Sequence, residues 1–311
     1  MVPNVKGKRH LGKAWKQIKA HWALYLFLLP AIVYYAVFRY YPMYGVQIAF
    51  RNYKAIKGIT GSDWVGFQNF RYFFSAADFG KLMRNTLNVS IFTLLLSFPL
   101  PILLALMLNQ LPSAKYKKIV QTTVYAPHFI STVVMVGMLF LFLSPSSGII
   151  NKLIEALGGK PVHFMAEPSA FVPIYVLSEI WQSTGWGSIL YLAALTNINP
   201  ELHEAALVDG ANKFQRVWHI DIPGIMPTII IMLILSAGKV MNVGFEKDYL
   251  MQTSLNISAS EIIATYVYKR GVLKSQFSLS TAVGLFESVI NLTLLVTVNW
   301  ISRKISDSSL F

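Results

Sequence analysis

The chain contains no cysteine, which removes disulfides, thiolate metal sites and a thiol nucleophile at once. Charge is also scarce. Only 13% of the 311 residues are charged, and the acids are few, 14 Asp and Glu against 27 Lys and Arg. No G-x-x-x-x-G-K-[ST] loop occurs, so the chain has no phosphate cradle of that kind with which to hydrolyse ATP. The net charge of +13 does not mark a nucleic-acid binder. The basic residues flank apolar runs instead of forming a basic domain interleaved with aromatics. No metal cluster and no catalytic constellation stands out.

What is abundant is apolar surface: 54% of residues are hydrophobic and the mean hydropathy is +0.50, beyond an ordinary soluble domain. These values predict an all-α integral membrane protein. Six segments are long enough to cross a bilayer, near residues 22–43, 85–109, 119–143, 171–196, 227–246 and 280–302. They form one transmembrane domain over 22–302. Residues 1–21 carry Lys6, Lys8, Arg9, Lys13, Lys16 and Lys19 and no acid, and no small-residue cleavage site follows, so the first span reads as uncleaved. This dense positive tail and the even number of spans place both termini in the cytoplasm, with the short tail 303–311 and a loop at 197–226. The segment 44–84 then reads as an extracytoplasmic cap, and 144–159 and 261–270 as short amphipathic pieces.

The stretch 204–223, EAALVDGANKFQRVWHIDIP, stands apart because it is polar and lies between two apolar segments. Its grammar is two short helices with a tight corner. Asn199 caps the first and Pro200 opens it, Gly210 permits a left-handed exit, Asn212 with Gln215 caps the second, and Pro223 ends it. Small Ala205 and Ala206 permit close approach, while Glu204 and Asp209 offer charge. The run resembles the EAA loop of binding-protein-dependent ABC importer permeases, EAA then three residues, Gly, nine residues and Ile-x-Leu-Pro. Here Ile222 stands for the usual Leu.

Polar residues inside spans carry a functional expectation. Tyr175, Glu179, Gln182 and Trp186 fall at i, i+4, i+7 and i+11, on one helix face. Lys239, Asn242 and Glu246 follow the same spacing logic in the fifth span, and Glu287 and Asn291 in the sixth. Lys239, Glu287 and Glu179 lie at comparable depth, so together they can surround one site. Carboxylates, amides and an ammonium bond sugar hydroxyls, and Tyr175 and Trp186 offer flat faces to a pyranose ring. Alternatively these groups satisfy one another, for instance as a Lys239–Glu287 ion pair. Lys239 is also compatible with an acidic sugar.

The run 236–247, SAGKVMNVGFEK, the run 261–268, EIIATYVY, and the outer DWVGFQNF at 63–70 resemble the LplB-like polysaccharide permeases of the carbohydrate-uptake, maltose-type class. That resemblance implies a type I ABC importer fold and a multi-pass subunit of the bacterial plasma membrane. It further implies a second related permease, two ATP-binding subunits that hold ATP and Mg, and an extracytoplasmic solute-binding (lipo)protein that delivers an oligosaccharide. No cofactor is expected on this subunit, and it is not itself an enzyme. In the family the 204–223 loop docks on the ATPase subunit. Amino acid or phosphate import, a secondary transporter and an intramembrane hydrolase using Ser183 with His128 or His219 are the alternatives. No inverted repeat supports the second and no motif the third.

Overall fold

A computed structural model describes residues 19–305. The basic positions 6–16 and the residues beyond 305 lie outside the described residues. The first helix, α1, runs from Trp22 to Phe50, not to 43, passing through a π turn at Ala36–Tyr40 and a 3-10 stretch at Tyr41–Phe50. Its apolar side chains are exposed almost throughout, as expected of a helix whose solvent is lipid. Of the expected cap 44–84, the middle is a folded hairpin. Strands β1, Arg51–Lys54, and β2, Gly58–Trp64, pair antiparallel with Arg51 opposite Trp64 and a bulge beyond Asn52. Helix α2, Gln68–Phe74, follows. The Tyr53 N–H donates to Ser278 Oγ (2.8 Å) and Asn69 Nδ2 donates to the carbonyls of Ala49 and Arg51, which fixes the hairpin to the helices.

Helices α3, Phe79–Ser97, and α4, Pro99–Asn109, together make a 31-residue apolar rod. Helix α5, Ala114–Tyr125, and helix α6, Thr132–Phe142, are joined through a 3-10 turn at Ala126–Phe129 and bend by 95°. The expected third span is therefore broken, because Pro127 cannot continue a helix and Ser131 caps a new one. Helix α7 is Ile149–Ala156 and α8 is the 28-residue Pro168–Leu195. Helix α9, Pro200–Val208, precedes α10, a continuous rod over Lys213–Ala237. Three short helices follow, α11 Phe245–Met251, α12 Ile257–Ser260 and α13 Ile263–Tyr268, before α14, Phe277–Ile305.

Among the described residues four helices are long and apolar enough to cross a membrane, α1, α3 with α4, α10 and α14, or five if the bent α5–α6 pair is one span. Helix α8 has the length, but Glu179, Gln182, Ser183 and Thr184 interrupt its apolar sequence. It is nevertheless the centre of the bundle, packed against α3, α4, α5 and α10. Phe171, Tyr175 and Val176 join Met135, Met251 and Ile262 in one core cluster, while Tyr191 and Leu195 join Leu106, Leu108 and Ile225 in another. A third gathers Phe73, Leu82, Met241, Tyr266 and Val283 around α14.

Glycine sets the closest crossing. A Cβ on Gly185 would overlap the Val124 carbonyl of α5, a backbone atom that has no rotamer to move, whereas a Cβ on Gly137 meets nothing. Gly185→Ala is therefore expected to lower stability by about 1–3 kcal/mol, read as a lower thermal midpoint of the purified protein. Gly137→Ala serves as the neutral control, and equal midpoints for the two would mean that the α5–α8 crossing has room to relax.

Candidate functional site

Polar chemistry gathers in two places, a hairpin at 199–221 and a cavity between α3, α4, α8 and the end of α10. The hairpin forms by local rules. Asn199 Oδ1 accepts from the Glu201 N–H (3.1 Å), Pro200 opens α9, and Gly210 turns the chain with φ +79°. Asn212 and Gln215 then exchange reciprocal capping bonds of 2.9 and 2.8 Å, an arrangement that stabilises a helix start by about 1 kcal/mol. Glu204, Ala205, Asp209 and Gly210 are exposed, and Ala206 is half-buried. So are the apolar Leu202, Leu207, Val208, Phe214 and Trp218, the last two with stacked rings.

Pro223 does not end the second helix. The chain widens into a π turn at Val217–Asp221, in which the Ile222 N–H reaches back to the Val217 carbonyl, and Pro223 enters the next turn without breaking the rod. The wider turn gives the proline ring the space that an α-helix denies it. Inside this turn sits Asp221, wholly buried. Its Oδ2 accepts from Gln110 Nε2, just past the end of α4 (3.0 Å), and His203 Nε2 of α9 lies 3.3 Å from Oδ1. One carboxylate thus ties both hairpin helices to the end of α4. Sequence reasoning missed it because Asp221 fell on the spacer position of the Ile-x-Leu-Pro segment.

The cavity has a volume of about 480 Å3, within the range of roughly 300–1,000 Å3 usual for small-molecule sites. It brings together Tyr175, Glu179, Lys239 and Asn242, with Thr93 and Ser97 of α3 and Ser183 of α8. The fifth span is not the continuous helix 227–246 that the spacing implied. Helix α10 stops at Ala237, where Gly238 packs on Leu295 of α14, and 238–244 is a non-helical crossing. Lys239 and Asn242 lie in that crossing, and Glu246 stands exposed on α11, outside the cavity lining.

Other expected site residues have structural partners. Gln182 Nε2 donates to the Ile130 carbonyl (2.7 Å) at the bend between α5 and α6, and Trp186 stacks on His128 at 4.5 Å. Asn291 Oδ1 accepts from the Met241 N–H (2.9 Å), so it satisfies the broken backbone. Glu287 is half-buried on α14, outside the cavity lining, and no Lys239–Glu287 ion pair forms.

The ion pair that does form uses Lys247, a residue the periodicity passed over by one position. Its Nζ lies 2.9 Å from Glu179 Oε2, donates to the Tyr175 carbonyl (2.9 Å) and sits 4.3 Å from the centre of the Tyr175 ring. Ser183 Oγ donates to Glu179 Oε1 (2.7 Å). The neighbouring Asp248 of α11 is fully buried, with Oδ2 accepting from Gln252, and burial pushes its carboxyl up to about 8. Glu179 is the acidic group that reaches Lys247, since the Asp248 carboxyl turns to Gln252 instead. Ser183, His128 and His219 do not form a nucleophile–base pair: Ser183 bonds Glu179, His128 stacks on Trp186, and His219 Nδ1 faces its own helix at the Gln215 carbonyl.

Residues 74–307 match the family described as "Binding-protein-dependent transport system inner membrane component". Protein LplB of Bacillus subtilis is 46% identical over 93% of this chain and 91% of that protein. The polygalacturonan/rhamnogalacturonan transport system permease protein YteP of the same organism is 42% identical over 93% and 90%. Among solved structures, a bacterial ABC transporter involved in the import of the acidic polysaccharide alginate superposes with a TM-score of 0.87 at 41% identity, covering 94% of this chain and 99% of that one. A second structure of an alginate transporter, in complex with an alginate pentasaccharide-bound periplasmic protein, has the same TM-score at 40% identity, over 95% and 99%.

The Lys247–Glu179 pair gives a direct stability test. Removing Lys247 leaves the Glu179 carboxylate, whose side chain is 29% exposed on the cavity wall, without its cation, which costs about 1–3 kcal/mol. Lys247→Met is expected to lower the thermal midpoint sharply, and Lys247→Met combined with Glu179→Gln to recover most of the loss. A double variant as unstable as the single one would show that Lys247 acts through its contacts with Tyr175 instead.

Proposed function

We propose that this chain, which belongs to the family of binding-protein-dependent transport system inner membrane components, is the permease subunit of an importer that takes up oligosaccharides or polysaccharide fragments. It is a transport subunit and not itself an enzyme, with ATP and Mg held on separate ATPase subunits. In this reading it works in a type I assembly with a second related permease, two ATP-binding subunits and an extracytoplasmic binding protein, in the bacterial plasma membrane. Six spans, with the bent α5–α6 pair and α8 counted, put both termini and the 199–221 hairpin on the cytoplasmic side.

The observation that carries the reading is the hairpin itself. It presents an exposed apolar and acidic surface on two capped helices, and the buried Asp221 anchors it to α4 while α10 runs unbroken from it to the cavity. A partner that grips this surface and moves it transmits the displacement along a rod about 37 Å long, at about 1.5 Å per residue over its 25 residues. Closure of the ATPase subunits then tilts α9 and α10, and the cavity opens alternately outward and inward. Such coupling requires that the hairpin be held differently in the two states. The relatives named above for acidic polysaccharides support a saccharide in the cavity, with Tyr175, Glu179, Lys239 and Asn242 as lining residues.

The test is the ATPase activity of the co-expressed importer with its binding protein in nanodiscs, across neutral oligosaccharides, uronic-acid oligosaccharides, amino acids and phosphate. Stimulation by a saccharide class is expected, and stimulation by another solute alone would sink the saccharide reading while keeping the importer. For the lever, proline cannot adopt the φ of +79° found at Gly210. Gly210→Pro is therefore expected to reduce substrate-stimulated ATPase activity at least about tenfold, a barrier rise of about 1.4 kcal/mol, and unchanged stimulation would refute the lever.

A further inference from the structure

We propose that the groove between α3 and the first turns of α8 binds one anionic phospholipid, with the lipid phosphate held by Arg84. The six-span reading above decides only which leaflet supplies the lipid.

The first argument is shape. The groove encloses about 760 Å3. Arg84, Asn88, Phe92 and Leu96 line it at i, i+4, i+8 and i+12 of α3, on the side of that helix opposite Ser90 and Leu94, which line the transport cavity. Ser169, Pro173 and Leu177 line it at the same steps of α8. Both walls change from polar to apolar in the same direction: Arg84, Asn88 and Ser169 stand at one end, and the exposed rings and methyl groups of Phe92, Leu96 and Leu177 follow. The base is closed by Ser258 and Ala259 of α12, which Asn85 fixes to α3 by donating to the Ser258 and Glu261 carbonyls at 2.9 and 3.1 Å.

The length of the groove is that of one leaflet. The 31-residue rod of α3 and α4 is about 46 Å long against a hydrocarbon core of about 30 Å, so a centred rod projects about 8 Å at each end. Arg84 stands five positions after Phe79, about 8 Å along the rod, at the boundary between headgroups and hydrocarbon. Leu96 lies about 18 Å deeper, near the bilayer midplane. A lipid fills such a groove from head to tail. A partner's spanning helix calls for one that continues through the second leaflet.

The second argument is charge. At the same end of α3, Lys81 pairs with Asp78 (3.2 Å) and Glu261 (3.4 Å), and Lys269 also pairs with Glu261 (3.4 Å). Arg84, three residues after Lys81, has no ion pair and no side-chain hydrogen bond among the described residues. Its apolar stem can lie along the groove with the guanidinium at the interface, where it grips a phosphate through two parallel bonds. Pro168 and Ser169 belong to the first turn of the 28-residue α8, whose positive dipole end adds to the same potential. Glu167 lies outside the lining, and its Oε1 accepts from Ser169 Oγ (2.9 Å). A lipid seated here braces α3 against α8, the two helices that also wall the transport cavity.

The experiment is native mass spectrometry of the assembled importer, delipidated and then titrated with phosphatidylglycerol or with zwitterionic phosphatidylcholine. Wild type is expected to retain one phosphatidylglycerol in preference to phosphatidylcholine. Arg84→Gln is expected to weaken phosphatidylglycerol about tenfold, the loss of one charged bond, and phosphatidylcholine by less than about twofold. Leu177→Asn, on the apolar wall, is expected to weaken both lipids, and it answers the question on its own should Arg84→Gln not assemble. Excess inorganic phosphate is expected to leave the lipid bound. Displacement by phosphate alone, or no effect of Leu177→Asn, would mean a site for a free anion and overturns the proposal. So does equal retention of the two lipids by wild type, or release of the second permease by Arg84→Gln with lipid retention unchanged, which would make the groove a contact between subunits. None of these readouts depends on which solute is transported.

Discussion

Every break in a helix that lies in an apolar layer exposes backbone groups that lipid cannot satisfy, and the architecture of this chain depends on how those groups are met. The answer at five such places is a carboxamide side chain. Gln182 donates to the Ile130 carbonyl at the 95° bend between α5 and α6. Asn291 accepts from Met241 where α10 has given way to the 238–244 crossing. Asn85 of α3 donates to the Ser258 and Glu261 carbonyls, and Asn256 to those of Met165 and Met251. Asn151 grips Leu143, Ser144 and Val162 around α7. These side chains do for irregular backbone what the i−4 ladder does for a helix.

The cavity is a consequence of those breaks. Had α10 continued past Ala237, Lys239 and Asn242 would stand on a rod packed against α14. Because the helix stops and Asn291 holds the freed amide, the chain crosses above α8 and delivers Lys239, Asn242 and Gly244 to one wall. A Cβ on Gly244 would lie 3.2 Å from the Tyr175 hydroxyl, so this crossing sits directly on α8. Lys247 then descends from α11 onto Glu179, joining the far side of the break to the central helix by a bond that neither segment could make alone.

Legibility from sequence followed the range of the interaction. The hairpin at 199–221 was readable down to its caps, because Asn199, Gly210, Asn212 and Gln215 act within three residues of themselves. Of the six expected spans, those at α1, α3 with α4, α10 and α14 are long and apolar enough to cross a membrane among the described residues, although their ends moved: α1 continues through π and 3-10 turns to Phe50 where composition turns polar near Arg39. The cavity was half readable. Tyr175 and Glu179 sit on an unbroken helix, where a 3.6-residue period holds. Gln182 and Trp186 share that period, yet they contact the bent α5–α6 segment at the Ile130 carbonyl and the His128 ring, and no local signal in α8 announces it. In the fifth span the period failed outright. The spacing assumed a continuous helix over 227–246, and the seven-residue crossing at 238–244 destroys its phase, so Glu246 was chosen where Lys247 carries the charge pair.

Pro223 shows how a local rule and the global structure are reconciled. Proline should stop the hairpin's second helix, and a stop there would isolate the hairpin from the cavity mechanically. The π turn at Val217–Asp221 removes the conflict, since its longer backbone ring makes room for proline and keeps the axis continuous from Lys213 to Ala237. The same extra residue turns the Asp221 carboxylate inward, to Gln110 and His203. The distortion that lets the rod pass through proline is thus also what fastens the hairpin to the neighbouring helix. The hairpin is thereby joined to the cavity lining by two routes, along α10 to the wall that carries Lys239 and through α4 to the wall formed by Pro101 and Gly187.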